Sequence, residues 1–261
     1  MTEERTRSLL LVALGATAVW LWWTDAALNY VRPSLAPFLL AGGTVLLLLG
    51  LLPPLGLLAR QPPGEPDRHE PGAGHEPGAG HEPGAGHGRA RVGWLLLVPV
   101  LVVVLVQPAA LGSYAASSRS AVPGAARGDF PALAAPVRGA VPMTMAEFVT
   151  RALRDSGQSL QGTRVRLVGF VAPGGGAGTY RLTRFVIFCC AADAEALQVV
   201  VRGDGVQRQR DQWLEVEGQW LPRPLPASDD PSPPPPVLAV DSVRPIAQPH
   251  RPYEYSVQYA G

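Results

Sequence analysis

Three apolar segments, all within the first 111 residues and almost free of charge, constrain this chain more than any other feature. Roughly 20 apolar residues in a helix cross the hydrocarbon core of a bilayer, where every peptide group must be satisfied internally. Ser8–Trp23 is uncharged and ends in Trp20, Trp22 and Trp23, residues that suit the membrane interface. Extension to Leu28 gives a first span over 8–28, with Asp25 at the far interface. A second span is expected over 35–58, closed by Pro53-Pro54, and a third over 92–111, interrupted by Pro99, Gln107 and Pro108. A cleaved signal peptide is the alternative for the first segment, because Arg5 and Arg7 precede it. Its three late tryptophans make a poor small-residue cleavage site.

The charge distribution agrees with this division. Charged residues are 16% of the chain, against roughly 25% in soluble domains, and the deficit falls on the apolar segments. Arginine placement then predicts orientation. Arg5 and Arg7 precede the first span, and Arg60, Arg68, Arg89 and Arg91 lie between the second and third; only Arg32 lies between the first two. The positive-inside rule puts the N-terminus and the 60–91 loop in the cytoplasm. Three crossings leave everything after the third span outside the cell, anchored to the lipid bilayer.

The 60–91 loop repeats HEPGAG three times from His69. A six-residue unit of Pro, Gly and Ala cannot bury a core, so a disordered tether is expected. His69, His75, His81 and His87 recur every six residues and are candidate ligands for a transition metal such as zinc, bound weakly in so flexible a chain. The other reading is an expanded linker whose histidines are incidental.

Residues 112–143, rich in Ala, Gly, Pro and Ser, read as a linker leaving the membrane. The remainder, 144–261, reads as a β-rich domain. Thr144 and Glu147 have the spacing of a capping box, Met145, Phe148, Val149, Ala152 and Leu153 make one helical face, and Gly157 supplies a stop. Strands are expected at Thr163–Val171, Tyr180–Cys190, Leu197–Arg202, Trp213–Trp220 and Val237–Val243, where apolar and polar residues alternate. The glycine run Gly174–Gly178 reads as a hairpin loop, and Asp229–Pro236 as a proline-rich connection. Five short strands and one helix suggest a small barrel of the OB type. The expected fold class is therefore a membrane α-helical region of three spans followed by a mainly-β domain. A net charge of +1 and the lack of a basic-aromatic stripe argue against nucleic acid as a partner.

The only two cysteines, Cys189 and Cys190, follow an apolar strand, with Asp193 three residues on. On the expected strand neighbouring side chains face opposite sides, so one thiol is expected to face the core and the other solvent or a cleft. Cys189, Cys190 and Asp193 are thus candidate metal ligands; the plainer reading is a core cysteine and an aspartate capping a turn. No Ser-His-Asp order, paired carboxylate motif or nucleotide loop is present, so no enzyme activity is expected.

These residues also carry a resemblance. Leu167-Val168-Gly169-Phe170-Val171, the run Arg184 to Asp193, Trp213 to Gly218 and Pro249 to Tyr255 together resemble the YcgQ-like family of bacterial membrane proteins. That family is described as probable subunits of a two-component membrane permease complex. The resemblance implies a polytopic permease as partner and no catalysis. It does not settle what is transported. Its relatives carry denser histidine and acidic tracts than the diluted repeat here. The expected function is an accessory, non-catalytic subunit of a transport complex; the alternative is a membrane-anchored protein that captures or senses a transition metal.

Overall fold

The computed structural model describes residues 3–52, 95, 97–106, 109–117, 128, 130–155, 158–174, 178–222 and 233–255. The chain divides into two compact units, Met1–Asp25 with Pro37–Pro108, and Ala26–Ala36 with Ala109–Gly261.

In the first unit, helix α1 covers Glu3–Trp23 and helix α2 covers Ala36–Leu51. The segments Thr6–Trp23 and Pro33–Leu51 are long and apolar enough to cross a membrane. The two helices approach closely through glycines: a Cβ on Gly15 would lie 2.7 Å from the Gly43 carbonyl oxygen, and one on Gly50 2.7 Å from Val12. Small residues at such crossings let helix backbones touch where no hydrophobic effect drives them together.

Two expectations change here. The first helix stops at Trp23, because Asp25 takes a left-handed conformation (φ 56°) that ends the helical ladder. Residues 26–28 therefore leave the span, and Ala27 and Leu28 are buried in the second unit. Among the described residues of the third segment, the α-helix is α3, Leu97–Val106. Ten residues rise about 15 Å, half the hydrocarbon thickness. Pro99 is tolerated because it sits in the first turn, and Gln107 and Pro108 lie outside the described residues. Two helices of spanning length, not three, are thus present among the described residues. The histidine repeat, Pro53 to Leu58 and Gly157 also lie outside them.

The second unit is built on a closed barrel of five strands: β2 (Arg164–Ala172), β3 (Thr179–Ile187), β4 (Glu195–Arg202), β5 (Trp213–Leu221) and β6 (Val237–Pro245). Around the barrel the order is β2-β3-β4-β6-β5, returning to β2, with β4 and β6 parallel and the other neighbours antiparallel. Two short parallel pairings extend it: β1 (Val141–Pro142) on β2 and β7 (Glu254–Tyr255) on β3. Four of the expected strands shift by only a few residues. The second stops at Ile187, short of the cysteines.

Val165, Leu167, Leu182, Leu197, Val199, Val201, Leu214 and Val216 point inward and are buried. Helix α5, Met145–Arg154, packs Met145, Phe148, Val149, Ala152 and Leu153 into the same core. Its first turn starts where expected, since Thr144 Oγ1 accepts from the Glu147 amide at 3.1 Å. The Glu147 carboxylate turns forward to Arg151 at 3.0 Å. Burial of Arg151 under the Phe130 ring draws it there.

Strict alternation fails at the end of β2, where Phe170, Val171 and Ala172 are all buried. A second apolar cluster covers the outer face of the barrel: Phe170, Phe185, Ile187, Trp213 and Tyr253, joined by Ala116. Residues 112–117, which include the short helix α4 (Ser113–Ala116), are accordingly not a free linker. Ser113 donates from its amide (2.6 Å) and hydroxyl (2.9 Å) to the Asp211 carboxylate, and the Gln198 side-chain amide donates to the Ala116 carbonyl at 3.1 Å.

Closure depends on one glycine. The β5–β6 register shifts at Glu217/Gly218, where a Cβ on Gly218 would run into the Ala239 carbonyl oxygen. Gly218→Ala must therefore push two strands apart. It is expected to cost about 3 kcal/mol or more of stability, the upper range for overpacking, measured as thermal unfolding of the barrel signal.

Candidate functional site

The chain leaves β3 at Ile187 and turns sharply through Phe188, Cys189 and Cys190 into the short 3-10 helix Ala191–Asp193. Asp193 holds that turn. Its carboxylate accepts from the backbone amides of Phe188 (2.8 Å), Cys189 (2.8 Å) and Cys190 (3.2 Å). Three successive amides can converge on one carboxylate only if the backbone curls around it, which a straight strand does not do. The plainer expectation for Asp193, a turn cap, describes this role.

Because the strand has ended, the two thiols are not on opposite faces. Cys189 is exposed, Cys190 is partly buried, and both are free. Their Sγ atoms lie 3.6 Å apart. Ligand atoms of Cys189, Cys190 and Asp193 all lie within 4.8 Å of one another. The expectation of thiols on opposite faces of a strand, one in the core and one in solvent or a cleft, is corrected by this turn, while the three candidate residues are brought together.

The electrostatics separate possible chemistries. Desolvation pushes the Asp193 carboxyl up, but the Cys189 thiol and the three amides hold it down at about 2. The same carboxylate, with Cys190 beside it, pushes the Cys189 thiol up to about 12. A nucleophilic cysteine needs the opposite surroundings, a cationic neighbour that favours thiolate. An anionic three-donor cluster suits a cation instead.

A second segment backs the turn, and it is the part that sequence reasoning missed. The connection between α1 and α2 lies against the cysteines. Val31 pairs with Cys190 in an antiparallel bridge. Arg32 donates its amide to the Cys189 carbonyl at 3.0 Å, and the Ala191 amide donates to the Tyr30 carbonyl at 2.7 Å. Arg32 also stacks over the Tyr255 ring, 5.6 Å from its centroid. Tyr253 completes the clasp: its hydroxyl donates to the Asn29 carbonyl and accepts from the Leu111 amide, both at 2.9 Å. An eleven-residue connection with a single charge gave no periodicity to reveal this contact; the only signal was the aromatic ending Tyr253-Glu254-Tyr255.

A separate cleft of about 400 Å³, lined by Tyr180, Val206, Arg208 and Arg210 among others, includes none of the candidate ligands. His69, His75, His81 and His87 lie outside the described residues.

Asp193→Ala leaves three turn amides without their acceptor. It is expected to cost about 1–2 kcal/mol and to speed hydrogen exchange at the amides of 188–190 selectively.

The fold and site define a five-stranded barrel with an exposed dithiol-carboxylate turn, following two helices long enough to cross a membrane. Residues 144–256 match the family described as the DUF1980 C-terminal domain. That region takes in α5, the whole barrel, the Cys-Cys turn and Tyr253, and leaves out its partners Asn29 and Leu111. No curated protein matches the chain, and no solved structure matches it.

Proposed function

We propose that this chain is an accessory, non-catalytic subunit of a bacterial membrane transport complex, presenting an extracytoplasmic barrel beside a polytopic permease. One observation carries the reading. The connection 26–36, which joins α1 to α2 in sequence, belongs to the barrel unit and bonds to its Cys-Cys turn. A connection between two apolar helices that is built into the barrel unit suits a domain that works beside membrane-embedded partners. The likeness to the YcgQ-like family supplies the kind of partner.

The same clasp supports three crossings. Residues 30–32 and 189–191 bond to each other, which requires one side of the bilayer for both. If α2 crosses away from that side, the segment containing α3 must cross back. The arginine excess at the N-terminus and in 60–91 then makes the barrel side extracytoplasmic. The strand order β2-β3-β4-β6-β5 with one parallel pair favours the OB type among small barrels.

Purification of the tagged chain in mild detergent tests the proposal. A stoichiometric polytopic membrane protein in the eluate is the expected result. Its absence, with no shared phenotype when the neighbouring membrane-protein gene is deleted, contradicts it.

A second reading, capture or sensing of a transition metal, is favoured by the convergence of Cys189, Cys190 and Asp193. The two readings coincide if the cargo is a metal.

A further inference from the structure

We infer that the Cys-Cys turn is an exchangeable site for a four-coordinate thiophilic divalent ion of the Zn²⁺ class, held by Cys189, Cys190 and Asp193 with one position left open. This rests on the second reading above and names the ion class and coordination it entails.

The spacing of the thiols fits a tetrahedral ion. Two thiolates bound at ~2.3 Å to one tetrahedral ion sit roughly 3.8 Å apart, whereas a linear two-coordinate ion of the same bond length needs roughly 4.6 Å. The observed separation is 3.6 Å. The pair therefore matches a tetrahedral bite without rearrangement of the turn and falls about 1 Å short of a linear one. As the ion binds, the two thiol protons leave to solvent and two thiolate bonds form.

The third donor is already aimed. Three backbone amides fix the Asp193 carboxylate beside both sulfurs, so its orientation is not lost as entropy when an ion arrives. Those amides also draw on its lone pairs, which makes it a weaker ligand than a free carboxylate. Cys190 is held from behind by the bridge to Val31. Structural zinc sites are closed by four protein ligands, while three protein donors leave a place for water or an incoming ligand. Here three donors converge among the described residues, on an exposed turn with Cys189 facing solvent. An open position, a weakened third ligand and solvent access are the properties of a site that takes an ion and passes it on.

Co²⁺, a spectroscopic substitute for Zn²⁺, gives the test. The full chain in detergent, under a non-thiol reductant and with His69, His75, His81 and His87 all changed to Ala, is titrated with Co²⁺ and then with Zn²⁺. One equivalent of Co²⁺ with a thiolate-to-metal charge-transfer band and tetrahedral visible bands, displaced by Zn²⁺, is expected. Cys189→Ser and Cys190→Ser should each weaken Zn²⁺ binding at least 100-fold. Asp193→Asn, which keeps one acceptor oxygen in the turn, should keep the charge-transfer band and weaken binding about tenfold. Thermal unfolding of the metal-free variants checks that the barrel stands in each.

No charge-transfer band, equal Zn²⁺ affinity in folded Cys→Ser variants, or binding of Cu⁺ without Co²⁺ or Zn²⁺ overturns the inference. A partner that co-purifies with a chain unable to bind Co²⁺ would sink this site and leave the accessory-subunit reading intact. Tight Co²⁺ binding with no partner does the reverse.

Discussion

Glu254→Ala is expected to lower the stability of the barrel unit by about 3–5 kcal/mol, the cost of breaking a buried ion pair from one side. Glu254 is only 8% exposed. Its two carboxylate oxygens accept from the amides of Met145 (2.7 Å) and Ala146 (2.8 Å), the first turn of α5. Carboxylates are favoured there because the first amides of a helix have no internal partners and carry the positive end of its dipole. Arg184 lies 3.8 Å from the same carboxylate, stacked over the Trp213 ring. The Glu254 carboxyl lies above the usual carboxylate range, because burial pushes it up by more than Arg184 and the two amides pull it down. Truncation would strand two helix amides and leave the Arg184 charge buried without its counterion. Glu254→Gln keeps one acceptor oxygen and the side-chain shape, and should cost less than half as much. Chemical or thermal unfolding of the full chain in detergent, followed by circular dichroism, separates these outcomes.

Tyr253→Ala should cost about as much, roughly 3–5 kcal/mol for loss of a buried aromatic side chain. The ring is 2% exposed and meets Phe185 edge-on at 6.5 Å. Its hydroxyl joins Asn29 of the connection to Leu111 of the segment after α3. Tyr253→Phe isolates that polar function. It keeps the ring but leaves one donor and one acceptor without a partner, for about 1–3 kcal/mol. Hydrogen exchange should show the loss around residues 29–32 and 110–112, with the barrel strands still protected. Uniform loss of protection would mean that the clasp and the barrel unfold as one body.

The sequence was legible wherever one physical rule acted alone. Alternation in Val165–Leu167 and in Leu214–Val216 located strands because one side faces the barrel core and the other does not. Thr144 placed the start of α5 because a β-branched hydroxyl before an apolar helical face satisfies an early amide. Legibility failed where a second surface intervened. Phe170 and Ala172 break the alternation because the segments around Ala116 and Tyr253 cover the outside of the barrel. The end of the strand before Cys189 was hidden, since Phe185-Val186-Ile187-Phe188 is apolar throughout and only Asp193, folding back on three amides, marks the turn. Cys189, Cys190 and Asp193 are close in sequence, but their shared orientation follows from that turn. The contact of Val31 with Cys190 joins residues 159 positions apart and left no local trace.

The connection between the first two helices is part of the barrel unit at the Cys-Cys turn. Val31 and Cys190 face each other as a pair whose flanking residues carry the hydrogen bonds. Cα atoms in such antiparallel pairs lie about 4.5 Å apart, inside the range that a disulfide bridges. The direct measurement introduces Val31→Cys with Cys189→Ser, plus a protease site within 60–91. Membranes are oxidised, the chain is cut, and the two fragments are resolved without reductant. The account predicts that they remain joined until reductant is added, and that a further Cys190→Ser change abolishes the link. Fragments that separate without reductant, while residues 31 and 190 react with impermeant thiol reagents from opposite sides of the membrane, would contradict it.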